Sequence, residues 1–114
     1  PLMAYDEHLA DRVRLELNDQ KARYEDLKMM GGMCFMVDDK MCIGVIEDTL
    51  MVRIDVENID EYMAMEAVGP MQFTGKPMKS FLTIQPEAVD TDNELAYWVE
   101  QCLLFNPKAK SSKR

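Results

Sequence analysis

The sequence lacks the features that mark membrane and secreted proteins. It has no apolar run near the roughly 18 residues that a membrane helix needs, and its N-terminus lacks the basic and apolar regions of a signal peptide. Its three cysteines are an odd number, which does not suit a disulfide framework. Because free thiols persist in a reducing compartment, we expect a cytoplasmic protein with no membrane association.

Basic residues are scarce over most of the chain. The sequence has 13 Lys and Arg against 21 Asp and Glu, and four of the basic residues lie at positions 108–114. The acidic remainder should repel a phosphate backbone, and no nucleic-acid recognition motif is visible. We therefore expect no direct contact with nucleic acid. We interpret residues 1–106 as one domain and residues 107–114 as a basic flexible tail.

Side chains for catalysis are also few. His8 is the only histidine and lies beside the apolar stripe of a predicted helix. Ser80, Ser111 and Ser112 lack the sequence context of a nucleophile elbow. Met-Met-Gly-Gly-Met at 29–33 lacks the glycine spacing of a phosphate-binding loop and precedes a predicted strand. We expect no enzymatic activity, no cofactor and no bound metal.

Methionine, in contrast, is abundant, with eleven residues that suit an adaptable core or contact surface. Apolar periodicity predicts a first helix over residues 4–18, followed by a polar connection over 19–27. Strands are predicted at 33–37, 40–46 and 49–54, joined by tight turns at Asp38-Asp39 and Glu47-Asp48.

Two capping boxes predict the remaining helices. Asn58 with Glu61 begins a short helix that ends at Gly69-Pro70, and Thr91 with Glu94 begins a longer one. Between them, residues 71–74 and 78–84 flank a turn and indicate a second hairpin. The predicted fold class is α+β, in the order α-β-β-β-α-β-β-α, with an antiparallel sheet and flanking helices.

The register of the first hairpin decides how the cysteine- and methionine-rich segment is interpreted. A two-residue turn at Asp38-Asp39 pairs Cys34 with Ile43 and puts Cys34 and Cys42 on opposite faces of the sheet. A three-residue turn would put both thiols on one face, where sulfur ligands suit Cu(I) or zinc. We prefer the two-residue turn, which predicts hydrophobic core rather than a metal site.

This register divides the three strands into two faces. One face is apolar throughout and is the predicted core: Cys34, Met36, Met41, Ile43, Val45, Leu50, Val52 and Ile54. The other face is too apolar for a solvated surface. Either helices cover both faces, or the second face meets another chain, and we favour another chain, most simply in a twofold homodimer. The predicted interaction surface comprises Met33, Phe35, Cys42, Gly44, Met51 and Arg53.

Several stretches closely resemble the N-terminal domain of the TfoX/Sxy competence regulators. They are MAYDEHLADRVRLEL, KMMGGMCFMVDDKMCIGV, LMVRI, GPMQFTGKPMKSF and LAYWVEQCLLFN, in this order and spacing. The most specific parts are residues 28–36 and 70–79, and the resemblance covers residues 3–106. It implies an α+β domain similar to type III secretion chaperones. It also implies a regulatory role exerted together with a transcription activator, and it supplies no catalytic residues.

Two functions from different classes follow. The first is a noncatalytic regulatory protein-interaction module, a transcriptional co-regulator of the TfoX/Sxy type that acts through a protein partner. The alternative is a small-ligand or enzymatic domain that binds an anion at the Gly31-Gly32 turn. In this alternative the basic contacts are Lys28, Arg53, Lys76 and Lys79.

Overall fold

The computed structural model describes residues 5–29, 31–73 and 75–110. Three α-helices are present in this part of the chain, α1 (Glu7–Asp19), α2 (Ile59–Met63) and α3 (Asp92–Phe105). The strands are β1 (Glu25–Met29), β2 (Gly32–Val37), β3 (Lys40–Ile46), β4 (Thr49–Arg53), β5 (Val68–Phe73) and β6 (Lys76–Ile84). Short 3-10 helices span Val56–Asn58, Pro86–Ala88 and Asn106–Lys108.

The six strands form one antiparallel sheet in the order β1-β2-β3-β4-β6-β5. Helices α1 and α3 pack against each other and against the central strands β3 and β4. Every buried residue of the three α-helices belongs to the core on this side of the sheet. We call this side the covered face and the other side the open face. The predicted α+β class is confirmed.

Both long helices begin at a side-chain cap, and the sequence predicts the one at Thr91. The Asp6 carboxylate accepts hydrogen bonds from the backbone N–H groups of His8 and Leu9, at 2.9 and 3.2 Å. Thr91 and Glu94 form the predicted reciprocal capping box. Each helix then buries one apolar stripe. The stripes comprise Leu9, Ala10, Val13 and Leu17 in α1 and Leu95, Trp98, Val99 and Cys102 in α3.

The structure differs from the prediction at two elements. Strand β1 overlaps the predicted polar connection, because an exposed edge strand tolerates the charged residues Glu25, Asp26 and Lys28. Helix α2 has only five residues, and Asn58 makes no side-chain cap. Asp55 instead accepts from Glu57 N at 3.0 Å and caps the preceding 3-10 turn. The chain extends soon after α2, so Gly69-Pro70 lies inside β5 rather than at a helix end.

The register is partly as predicted. Asp38 and Asp39 both have positive φ, as a two-residue type I′ turn requires, although neither is the glycine such turns prefer. Near this turn Met36 pairs with Met41, but beyond it Phe35 pairs with Ile43. Cys42 is therefore an extra residue, a β-bulge that shifts the register by one position. The β3–β4 register is as predicted, with Val45 opposite Leu50.

The bulge exchanges the two faces of β2, and the predicted face assignment was wrong for this strand and for Met41 and Cys42 of β3. Met33, Phe35 and Val37 lie in the main core on the covered face. Cys34 and Met36 lie on the open face. Cys42 also joins the main core, because consecutive bulge residues can point to the same side of a sheet. The predicted core residues Ile43, Val45, Leu50, Val52 and Ile54 keep their place.

Hydrogen bonds join the chain at the end of α3 to the β2–β3 hairpin. Lys40 Nζ donates to the carbonyl oxygens of Asn106 and Pro107, at 3.1 and 3.3 Å. Asn106 is buried, and its Nδ2 donates to Val37 O at 3.1 Å. Ala109 is buried as well. The first part of the predicted basic tail thus packs against the domain, while residues 111–114 lie outside the described residues.

Candidate interaction surfaces

The structure does not bring the six predicted surface residues together. Met33, Phe35 and Cys42 are buried on the covered face, in contact with the helices and core. Gly44, Met51 and Arg53 lie on the open face. The reason is the bulge at Cys42, which turns the odd-numbered side chains of β2 inward. An interaction surface on this sheet must therefore be sought on the open face alone.

The open face is a small cluster of strand side chains. Met51, Met71 and Phe81 form its buried centre, and Met41, Ile46 and Met78 pack around them. Gly44 leaves room for a neighbour, since a Cβ there would lie 2.4 Å from the terminal methyl of Met51. Methionine side chains thus cover much of the sheet where a helix does not.

Arg53 extends over this cluster. Its guanidinium carbon lies 5.3 Å from the centre of the Phe81 ring, a cation–π arrangement. Its Nη1 donates to Met41 O at 3.3 Å, whereas Nε is buried with no hydrogen-bond partner among the described residues. Burial lowers the pKa of Arg53, although nearby thiols oppose the change. The side chain serves chiefly to cover the methionine cluster.

The cysteines are buried free thiols. Cys34 Sγ lies 3.9 Å from Met36 Sδ on the open face, and burial raises the pKa of Cys34 to about 12. Cys42 is within hydrogen-bonding reach of Cys102 on the covered face, and burial raises the pKa of Cys102 well above its usual value. The predicted placement of Cys34 and Cys42 on opposite faces is confirmed. The protonated thiols of Cys34 and Cys102 are poor nucleophiles and poor metal ligands.

The residues of the predicted anion pocket lie at two separate places. Lys28, Gly31 and Gly32 belong to the β1–β2 turn, at one edge of the sheet. Lys76 and Lys79 belong to β6 and Arg53 belongs to the neighbouring β4, and β3 separates all three from that turn. A Cβ on Gly32 would lie 2.2 Å from Val45 O. Close strand packing explains this glycine without a bound phosphate.

One groove borders the open face, and we call it the methionine groove. It has a volume of about 370 Å³ and an almost wholly apolar lining. It is lined by Val56, Ile59, Pro70, Met71, Met78, Lys79 and Phe81. Val56 is exposed to solvent at the border of this groove. Only one of the lining side chains, Lys79, carries a charge.

A second groove lies beside the first turns of α3, and we call it the acidic groove. Its volume is about 530 Å³. It is lined by Met65, Glu66, Ala67, Val68, Glu87, Ala88, Asn93, Glu94, Tyr97 and Trp98. Ala67 has a φ of 66°, and its carbonyl accepts from Gln85 N at 2.9 Å, which fixes one wall. Sequence reasoning missed this groove, because its walls come from three separate segments.

Packed aromatic rings form one wall of the acidic groove. The Tyr97 and Trp98 rings meet edge to face with centres 5.0 Å apart, and Tyr62 meets Trp98 at 5.5 Å. Tyr62 Oη and Gln101 Oε1 are 2.9 Å apart, which ties α2 to α3. Trp98 is almost entirely buried, whereas Tyr97 is 38% exposed. The groove therefore has a fixed aromatic wall with one accessible ring.

Neither a cluster of metal-binding side chains nor a membrane-spanning helix is found among the described residues. No three His, Cys, Asp or Glu side chains in that part of the chain are grouped closely enough to hold a metal ion. Among the helices described, none has the length and apolar character needed to cross a membrane.

Comparison with known proteins identifies the family. A family model described as the TfoX N-terminal domain matches residues 16–105, which is most of the chain. The match includes all six strands and α3. No curated protein and no solved structure matches the chain. The family resemblance noted in the sequence is confirmed, and the chain belongs to the TfoX N-terminal domain family.

Proposed function

We propose that this domain is a noncatalytic regulatory module that binds a protein partner in the cytoplasm. The partner we propose is a transcription activator, so that the domain acts as a co-regulator of the TfoX/Sxy type. The TfoX N-terminal domain is consistent with a regulatory role and is not a known enzyme family. The link to competence regulation is part of this proposal.

The methionine groove is the observation that carries the proposal. An apolar groove open to solvent is typical of a protein contact site. Met71 and Phe81 form a buried base, while Val56 and Met78 lie at the accessible side. Methionine adapts its shape to different partners. An apolar segment of a partner that fills this groove would remove Val56 and Met78 from water.

The charge of the chain favours a contact with protein over a contact with DNA. The formal net charge is −8, and a protein of this charge gains little from the release of counterions on a phosphate backbone. A co-regulator with this surface would reach a promoter through an activator that is already bound there.

A mobility-shift experiment separates these two modes. Candidate activators from the same cell are bound to their own operator DNA, and the purified domain is added at physiological salt. We expect the domain alone to leave the DNA unshifted and to retard one activator–DNA complex further. A sequence-specific shift by the domain alone would refute the proposed mode of action.

A matched pair of variants tests the groove in the same assay. Val56→Glu places a charge at the methionine groove, and Leu15→Glu places one on the solvent side of α1. Both residues are exposed, at 47% and 65%, so both variants should fold. We expect Val56→Glu to weaken binding of the domain to the activator–DNA complex about tenfold, whereas Leu15→Glu leaves this affinity unchanged. Equal effects of the two variants would exclude the groove as the contact site.

The homodimer predicted from the sequence stays a proposal, in which a second copy occupies the methionine groove in the absence of the activator. Phe35 was part of the predicted interaction surface, but Phe35→Glu cannot test self-association because Phe35 is a core residue. Sedimentation of the wild type and of Val56→Glu is the appropriate measurement. We expect a dimer that the substitution converts to a monomer. A wild-type monomer at high concentration would refute self-association without affecting the activator experiment.

A further inference from the structure

The acidic groove combines an apolar interior with exposed apolar side chains at its border. Met65 and Tyr97 are exposed at 43% and 38%, while Val68 and Ala88 are half-buried in the wall. Exposed apolar side chains that border a preformed groove mark a contact site more often than isolated ones do. The groove is separate from the methionine groove, since the two share no lining residue.

The charge around this groove has one sign. Glu66, Glu87 and Glu94 line it, and no Lys or Arg does. No ion pair within the described residues involves any of these three carboxylates. Glu94 Oε1 is held at the α3 cap by Thr91, whereas Glu66 and Glu87 are exposed. An occupant of the groove therefore meets uncompensated negative charge.

The electrostatic environment of Tyr97 supports the same conclusion. Burial raises the pKa of the Tyr97 hydroxyl, and the negative charges of Glu61 and Glu100 raise it further. The ring therefore lies in a field produced by carboxylates beyond the groove itself. An aromatic ring in a negative field attracts a cation both through its π-electrons and through the carboxylates around it.

These properties fit an arginine side chain better than other occupants. Arginine has an apolar stem for the groove interior and a planar guanidinium that stacks on aromatic rings and binds carboxylates. An uncharged peptide would remove water from the carboxylates without replacing their hydrogen bonds. Nucleic acid would be repelled.

We propose that the acidic groove binds an arginine-bearing segment of a protein partner, with the guanidinium against Tyr97 and between Glu66 and Glu87. The groove volume of about 530 Å³ accommodates one such side chain together with parts of its neighbours. This inference rests on the proposed function only in taking a protein as the partner.

The experiment uses the full chain and a defined probe. The probe is an unlabelled peptide, acetyl-Gly-Arg-Ala-Arg-Gly-amide, and its control carries citrulline, which is uncharged and nearly isosteric, in place of arginine. Trp98 is the only tryptophan of the protein and lines the groove, so its fluorescence reports binding at this location. We expect saturable binding of the arginine peptide and at least tenfold weaker binding of the citrulline peptide.

Variants matched in charge then separate the groove from the overall acidity of the protein. We expect Glu66→Gln combined with Glu87→Gln to weaken binding at least fivefold. Glu7→Gln combined with Glu57→Gln removes the same charge from exposed positions elsewhere and should change binding less than twofold. Tyr97→Ala should weaken binding, and Tyr97→Phe should restore it.

Three results would overturn the inference. They are the absence of a Trp98 response to the arginine peptide at millimolar concentration, equal binding of the citrulline peptide, and equal losses in the two double variants. None of these results bears on the methionine groove. Conversely, a failure of Val56→Glu to affect the activator complex leaves this titration unchanged, so the two proposals fail independently.

Discussion

Replacing Phe35 and Met36 one at a time with alanine tests the register of β2 directly. Phe35 is 0% exposed, and its ring meets the Tyr24 ring edge to face at 5.8 Å. Arg14 lies over the same ring, with its guanidinium carbon 5.3 Å from the centre. Removing a buried phenylalanine costs about 3–5 kcal/mol, since it leaves a cavity that its neighbours fill only partly.

Met36 is the matched control, because it is a large apolar residue one position along the same strand. It is half-buried on the open face, where its sulfur lies 3.9 Å from the Cys34 thiol. We expect Met36→Ala to cost about 1 kcal/mol. In a domain of this size, the difference between the variants should appear as roughly 10–20 °C in the melting temperature.

Urea unfolding followed by Trp98 fluorescence measures both free energies of unfolding. Trp98 is buried beside Tyr62, so its fluorescence reports on the state of the core. The register without a bulge makes the opposite forecast, with Met36 in the core and Phe35 outside. A larger loss for Met36→Ala than for Phe35→Ala would refute the bulge at Cys42 and the face assignment built on it.

Three other substitutions test separate features of the fold. Gly32→Ala should lower the free energy of unfolding by about 3 kcal/mol or more in urea, since the new Cβ would lie 2.2 Å from Val45 O. Gly69→Ala should change it little, because its Cβ would meet only Thr83 Oγ1 at 3.5 Å. Lys40→Met should cost about 1–2 kcal/mol in thermal unfolding, because it removes two hydrogen bonds at the end of α3, whereas exposed Lys76→Met should cost almost nothing. The Cys34 thiol has its pKa raised from 9.0 to about 12, so its stabilising contribution is complete below pH 9 and is lost as the pH rises toward 12. Between pH 8 and 10 the wild type should therefore lose about 1.4 kcal/mol more than Cys34→Ala in urea unfolding, and equal losses would contradict the burial of this thiol.

The helices and hairpins that the sequence predicted well share one property. Their apolar spacing admits only one secondary structure, as in α3, where the stripe from Leu95 to Cys102 follows a capping box. The β3–β4 register was predictable for a similar reason, since its two-residue turn leaves one pairing that keeps both faces consistent. Local chemistry was sufficient in these elements.

Strand β1 and the bulge were not predictable from local chemistry. The β1 sequence Glu-Asp-Leu-Lys-Met has too few apolar residues to indicate a strand, and its pairing with β2 is what holds it in the sheet. Cys42 and Ile43 are both apolar, so a shift by one residue leaves the hydrophobic pattern of β3 intact. Alternation cannot reveal a bulge between two apolar residues.

The candidate sites depend on contacts that are distant in the sequence. Met71 and Phe81 were assigned to a hairpin, but the groove they form also needs Val56 and Ile59 from the α2 region. Trp98 belongs to the buried stripe of α3. Its part in the acidic groove arises only when the 65–68 segment and Glu87 are brought beside it.

The extra residue in β3 makes the length of this hairpin as important as its composition. Toward the turn, Asp38 and Asp39 determine the pairing, whereas toward the other end Gly44 must lie beneath the Met51 side chain. The two ends require pairings that differ by one residue, and Cys42 absorbs the difference. Losing one residue between Asp39 and Gly44 would therefore remove the need for the bulge and leave the inner and outer side chains of β2 in place.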